Sequence, residues 1–242
     1  MKKHKTRIYV NKSISSNLII YIKDKQHHFL KNVLRIKSGD EIIVFDGISG
    51  EWLSKVISIN RDNTALRISK NLKKIKKSLD LWLIFAPIKQ SRMSLAIQKA
   101  TELGVSKIIP CKTQFTNIKN INIKNLFDNA IEAAEQSQRF DIPTIEKETD
   151  LMSLLQNWPD DRTLVFCDEK SNGKAIIETL EKIKYSTTKW SVMIGPEGGF
   201  SDTERDLILQ NKNVVPVSLG NTILRSDTAI TVAFYCLKEI TS

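Results

Sequence analysis

The residues of this 242-residue chain that could do chemistry lie in three short stretches. The first is Gly195-Pro196-Glu197-Gly198-Gly199-Phe200, which follows the apolar run Trp190–Ile194. Three glycines and a proline in so few residues make a tight turn with exposed backbone N–H groups. The turn runs into Ser201-Asp202-Thr203-Glu204, the Ser-x-x-Glu pattern that caps a helix start. A glycine loop between a strand and a helix N-terminus suits close main-chain contact with a small ligand. The alternative is a turn with no ligand. The spacing fits neither GxGxxG nor GxxxxGK[ST], so a mononucleotide phosphate cradle is not indicated. The second stretch, Leu219-Gly220-Asn221-Thr222-Ile223-Leu224-Arg225, also follows an apolar strand. It leads into Ser226-Asp227-Thr228, whose oxygens can cap the last helix. Two such loops at the ends of successive strands are expected to line one pocket. The third, Ala133–Arg139 (AAEQSQR), reads as a polar helix end, with Arg139 facing water or the last carbonyls.

Other enzyme signals are missing. No histidine lies beyond His28, so a Ser–His–Asp arrangement in the later part of the chain has no base. Neither GxSxG nor HExxH occurs. His27-His28 reads as a helix start, since no further His or nearby Cys joins it to bind metal. Cys111, Cys167 and Cys236 are far apart, which suggests a reducing cytosol and no disulfide framework. No apolar run reaches the ~18 residues of a membrane span, and the basic N-terminus lacks the apolar stretch of a signal peptide. A cytoplasmic protein is expected.

Two textures position these stretches. Arg7–Val10, Leu18–Ile22, Glu41–Phe45, Trp52–Ile59 and Thr64–Ile68 are alternating or β-branched, so short strands are expected, with one helical turn at His27–Leu34. Many short strands in so few residues suggest a small barrel over residues 1–72. Asn71–Ser78 carries four lysines with little to bury and marks a boundary. From there to 242, apolar strands alternate with amphipathic helices, which implies a mostly parallel sheet covered on both faces. Ligands bind such sheets at the carboxyl ends of the strands. Charge follows the same division. Residues 1–77 hold 18 Lys+Arg against 6 Asp+Glu, whereas the remainder holds 19 against 21. The whole excess of +10 therefore sits in the first third, as a footprint for a polyanion, nucleic acid before membrane.

Taken together, HFLKNVLR at His28–Arg35, IQKATELGV at Ile97–Val105, AAEQSQR at Ala133–Arg139, IGPEGGFS at Ile194–Ser201 and LGNTILRSDTA at Leu219–Ala229 resemble the ribosomal RNA small subunit methyltransferase E family. This is the uracil-N3 branch of the SPOUT superfamily, and the resemblance covers nearly the whole chain. It implies an α/β fold: a PUA-like β-barrel that binds RNA, followed by a SPOUT-type trefoil-knotted domain. It also implies S-adenosylmethionine as cofactor, one uridine of 16S rRNA in the 30S subunit as substrate, and a homodimer. Neither a metal nor a membrane belongs to this expectation. The chain departs from the family at Ser226-Asp227-Thr228, where Thr-Glu-Thr is usual, and at Lys112–Phe115, where an arginine is usual.

On this resemblance Ile194, Gly195, Glu197, Gly198, Gly199, Leu219, Gly220, Leu224 and Thr228 are expected at the cofactor. Arg225, and after it Arg139, is expected to stabilise negative charge that develops on the uracil oxygens as N3 loses its proton. Lys3, Lys5, Arg7, Lys31 and Arg35 are expected to grip RNA, and Lys89 and Arg92 to hold phosphate. The competing readings are a SPOUT ribose 2′-O-methyltransferase of tRNA or rRNA, and a non-catalytic ribosome assembly factor.

Overall fold

A computed structural model describes residues 4–75, 79–170 and 174–241. The chain forms two compact units: Met1–Lys77 with Ala134–Ile142, and Ser78–Ala133 with Pro143–Ser242. The sequence reading has a single boundary. The structure adds an excursion, because Ala134–Ile142 packs with the amino-terminal unit.

In the first unit β1 (Arg7–Tyr9), β2 (Ile19–Ile22), β3 (Glu41–Phe45), β4 (Glu51–Ile59) and β5 (Thr64–Lys73) form a sheet in the order β1-β3-β4-β5-β2. β1 pairs parallel with β3, and the other neighbours are antiparallel. Among the described residues the hydrogen-bonded path of this mixed sheet runs from β1 to β2, the two ends of the order. Period-two alternation decides which face is buried. Ile20 and Ile22 join Ile8, Ile42, Val44, Val56, Leu66 and Ile68 in the core, while Ile19 and Tyr21 point outward. α1 (Asp24–His28) continues as a π-helical turn over Phe29–Val33, which inserts Leu30 into that core. β5 runs on to Lys73, into the stretch expected as a linker, because Asn71 pairs with Trp52 and Lys73 with Glu51.

Arg7 ties the excursion to this sheet. Its Nε donates to Glu51 Oε1 at 2.5 Å, Nη1 to the Ala134 carbonyl at 2.8 Å, and Nη2 to the Arg139 carbonyl at 2.5 Å. The guanidinium lies 3.6 Å from the centre of the Phe45 ring. Burial pushes its pKa down, and Glu51 works against that shift. Glu135 accepts from Tyr9 N and from Gln26 Nε2. Arg7 is therefore not an RNA-facing cation. It is 8% exposed and its donors are spent on the protein. Arg139 is also 8% exposed, and its Nε and Nη2 form a two-point contact with Asp141.

The second unit holds β6 (Asp80–Phe85), β7 (Lys107–Lys112), β8 (Thr144–Ile145), β9 (Thr149–Asp150), β10 (Thr163–Cys167), β11 (Lys189–Ile194) and β12 (Val214–Val217). Their order is β12-β10-β11-β6-β7-β8, with β9 also on β7, and every pairing is parallel. Covering both faces explains the near-continuous apolar runs of β6, β10 and β11. On one face α7 (Ser226–Thr241) packs against β11, α2 (Gln90–Glu102) and α5 (Ile176–Ile183). On the other, Leu151 of α4 (Leu151–Gln156) and Ile208 of α6 (Asp202–Leu209) share a cluster with Trp158, Phe166, Met193 and Phe200. α3 (Ile123–Ser137) contributes its last turn to the first unit. The two-residue strands β8 and β9 are too short to leave a periodic signal in the sequence.

Replacing Arg7 by Ala leaves the Glu51 carboxylate, 3% exposed, without its main partner. Removing one member of a buried pair costs about 3–5 kcal/mol. The mostly exposed Lys73, 3.4 Å from Glu51, offers partial relief. A loss near the lower end is expected, read as a fall in the urea midpoint. An unchanged midpoint would show that the contact adds nothing.

Candidate functional site

The site is built where three parallel strands end. Cys167 ends β10 and Asp168 and Glu169 follow it, Gly195–Glu197, Gly199 and Phe200 follow β11, and Ser218–Ser226 follow β12, and these residues line one cleft. β10 lies between β11 and β12, so the two glycine loops start two strand spacings apart, roughly 9–10 Å. The chain crosses back past the end of β10. Ser226, opening α7, donates from Oγ to the Gly195 carbonyl at 3.1 Å. That bond closes the β12 loop onto the β11 loop. Ile194, Phe200, Val217 and Ala229 make an apolar floor, and Ile223 stands exposed at the rim.

Local chemistry explains why these loops take this shape. A Cβ on Gly195 would stand 2.7 Å from Phe200 Cε2. Phe200 is buried and packs edge-to-face on Phe166 with centroids 5.0 Å apart, so its ring has nowhere to go. Gly199 has φ +66, a left-handed conformation that costs other residues ~1–2 kcal/mol. A Cβ there would also run into the Glu169 carboxylate. The capping box is present: Glu204 N donates to Ser201 Oγ at 3.3 Å and Ser201 N donates to Glu204 Oε2 at 3.0 Å. Glu204 Oε1 also accepts from Gln114 N at 2.7 Å.

Of the residues singled out in the sequence, Ile194, Gly195, Glu197, Gly199, Leu219, Gly220, Leu224 and Arg225 line the cleft. Gly198 instead backs onto Phe115, whose Cβ lies 3.1 Å from where a Cβ would be. Thr228 is exposed on the first turn of α7. Arg225 is exposed at the cleft, and no other described residue pairs with its side chain. Arg139 belongs to the first unit, bound to Asp141. Arg92 Nη1 contacts Glu197 Oε1 at 2.8 Å, so the expected phosphate ligand is paired with an acid of the cleft. Lys89 is exposed just before α2. In the first unit Lys5 pairs with Asp40, Lys31 donates to the Asn60 carbonyl, and Arg35 is exposed at φ +49. Lys3 lies outside the described residues.

The sequence reading overlooked the β10 end. Asp168 is buried and bound to Arg205 Nη2 at 2.8 Å, with Glu169 beside it at the cleft. The available signal was the acidic pair directly after an apolar strand, where parallel sheets bind ligands. Burial raises the Cys167 thiol at the cleft above its usual range, which favours the thiol over the thiolate. Among the described residues no group of His, Cys, Asp and Glu could hold a metal ion, and no helix is long and apolar enough to cross a membrane.

The packing sets a stability test. Overpacking a filled core costs about 1–3 kcal/mol, and losing an N-cap hydroxyl costs about 1 kcal/mol. Gly195→Ala is expected to lower the thermal midpoint more than Ser201→Ala does. The reverse order would contradict the closed contact with Phe200.

Known proteins agree with this architecture. A model for an RNA methyltransferase domain matches residues 75–238, and one for an RNA methyltransferase PUA domain matches residues 22–69. The chain is 35% identical over 228 residues to the ribosomal RNA small subunit methyltransferase E of Rickettsia conorii, covering 94% of this chain and 92% of the relative. It is 30% identical over 245 residues to the protein of the same name from Buchnera aphidicola subsp. Schizaphis graminum, covering 98% and 97%. A Legionella pneumophila protein described as a methyltransferase, solved in complex with the cofactor SAM, superposes with a TM-score of 0.87. It is 26% identical, with 97% of each chain covered. The all-parallel sheet thus falls within the RNA methyltransferase domain, and most of the mixed sheet before it falls within the PUA domain. By sequence and by fold the chain belongs to the ribosomal RNA small subunit methyltransferase E family.

Proposed function

We infer that the chain transfers a methyl group from S-adenosylmethionine to N3 of one uridine in the 16S rRNA of the 30S subunit. The observation that carries this reading is the convergence of two glycine loops and the start of α7 on one cleft with an apolar floor. These residues fit the cofactor. Main-chain groups in a cradle with little room for added side chains suit an adenosine, and apolar walls suit its base. When bound, S-adenosylmethionine supplies a methyl already activated by the sulfonium.

The chain's own residues have three tasks. Gly195, Glu197, Gly199, Leu219, Gly220 and Leu224 hold and orient the cofactor, with Ile194 beneath them, and Gly198 and Thr228 support the turns on either side. Orientation matters because methyl transfer needs the nucleophile in line with the leaving group. Arg225 then stabilises the charge that spreads onto the uracil oxygens as N3 loses its proton. Its exposure at the cleft and lack of a partner among the described residues support this assignment over Arg139, which is engaged with Asp141. N3 lies on the Watson–Crick edge, so the target base reacts unpaired or flipped. Lys5, Lys31 and Arg35 contribute to holding RNA in this reading, and Lys89 contributes at the second unit. A homodimer working in the cytoplasm is part of the same proposal, and the crossing of Leu219–Arg225 past β10 is its knotted passage.

Methyl transfer to 30S subunits lacking the modification, followed by digestion to nucleosides, is the direct test. 3-Methyluridine is expected. A 2′-O-methyl nucleoside would point to a ribose methyltransferase, and failure to bind S-adenosylmethionine in calorimetry to a non-catalytic assembly factor. Removing one donor that stabilises developing charge costs ~10²–10³ in rate. Arg225→Ala is therefore expected to lose methyl transfer on that scale while keeping its cofactor affinity.

A further inference from the structure

We propose that the outward face of β4, β5 and β2 in the first unit is a docking surface for single-stranded RNA, with Tyr21 as the base-stacking platform and Arg67 and Lys55 as phosphate contacts. This deepens the RNA methyltransferase reading and rests on it.

Cross-strand register assembles the face. Ile19 of β2 stands opposite Arg67 of β5, Arg67 opposite Lys55 of β4, and Lys55 opposite Glu41 of β3. Directly opposed side chains on one face have Cβ atoms about 4.5–5.5 Å apart. Arg67 and Lys55, both exposed, are thus neighbours of like charge in mid-sheet. Such a pair destabilises the free protein. Among the described residues neither side chain has a hydrogen-bond or ion-pair partner. Half-buried Glu41 faces Lys55 and leaves Arg67 uncompensated. An anion between the two cations removes the repulsion, which is the charge complementarity a polyphosphate backbone provides.

The second half of the face is aromatic and apolar. Tyr21 is 57% exposed, although the residues before and after it, Ile20 and Ile22, are fully engaged in the core. It stands opposite buried Ala65 and diagonal to Arg67, at a spacing that long side chains bridge. Ile19, two residues before it on the same strand, is also exposed. A sheet face that offers one exposed ring diagonal to one cation, with a second cation one strand further on, is how proteins stack unpaired bases while tracking the backbone. The proposed target base reacts unpaired or flipped, and where it lies in a single-stranded stretch the flanking bases are free to stack on such a ring.

Binding of a short fluorescein-labelled single-stranded RNA to the full chain, followed by anisotropy over a salt series, tests this. Tyr21→Ala is expected to weaken binding about tenfold, and Tyr21→Phe to bind like the wild type, because the ring stacks and the hydroxyl does not. Arg67→Ala with Lys55→Ala is expected to flatten the slope of log affinity against log salt by roughly 0.7 per lost contact. Both changes should leave calorimetric binding of S-adenosylmethionine unchanged and should leave the melting temperature the same or higher. Wild-type RNA affinity and salt slope in all variants would overturn the proposal. So would a change in oligomeric state with RNA binding intact, which would make the face a protein interface. A wild-type chain that modifies 30S subunits while its variants bind RNA normally sinks this inference alone. A wild-type chain that neither binds RNA nor modifies 30S subunits sinks the functional reading with it.

Discussion

A parallel sheet ordered β12-β10-β11 separates the two strands that carry glycine loops by a third strand. Two loops that far apart cannot enclose a small ligand unless the chain comes back across the gap. The bond from Ser226 Oγ to the Gly195 carbonyl fixes that return. Much of the second unit follows from it. α7 must start at the β11 loop, so it packs over β11 and meets α2 and α5 on that face. The β10 end must lie under the crossing, so Asp168 and Glu169 become part of the cleft. Gly195 is needed because the buried Phe200 ring already fills the space, whereas a Cβ on Gly198 would only press on the exposed Phe115.

The first unit depends on a different constraint, a buried cation. Arg7 uses its planar fork to bind one carboxylate and two main-chain carbonyls at once, a geometry that lysine lacks. Its position over Phe45 gives the charge an aromatic face where water is excluded. This anchors the end of α3 and the turn after it, which carries one of the family's marks, to the amino-terminal sheet. Hence a segment from the middle of the methyltransferase domain's sequence folds with the other unit.

Charge has to be divided by location. The excess of basic residues in the first third is real, but it is not one uniform footprint. Arg7 is structural and Lys5 is matched by Asp40, whereas Arg67 and Lys55 stand exposed on a sheet face and, among the described residues, unpaired. Counting residues weights all of these equally. Only burial and register separate a cation that holds the fold from one available to a ligand.

The amino-acid sequence by itself determined the elements and the loop chemistry. Alternation marked β1 through β5, apolar runs marked the central parallel strands, and Gly195–Gly199 with Ser201 and Glu204 specified a loop and a capped helix. These are local features, written in residues adjacent along the chain, so they can be read without knowing what packs where. Tertiary structure alone decided which distant segments meet: Arg7 with Ala134 and Arg139, Glu169 with the glycine loops, Arg92 with Glu197, Lys55 with Arg67. Such contacts depend on strand order and register. A register shift of one residue would turn Tyr21 and Arg67 into the core, and nothing in their own neighbourhood of sequence forbids it. The packed cores on the other side of each sheet do.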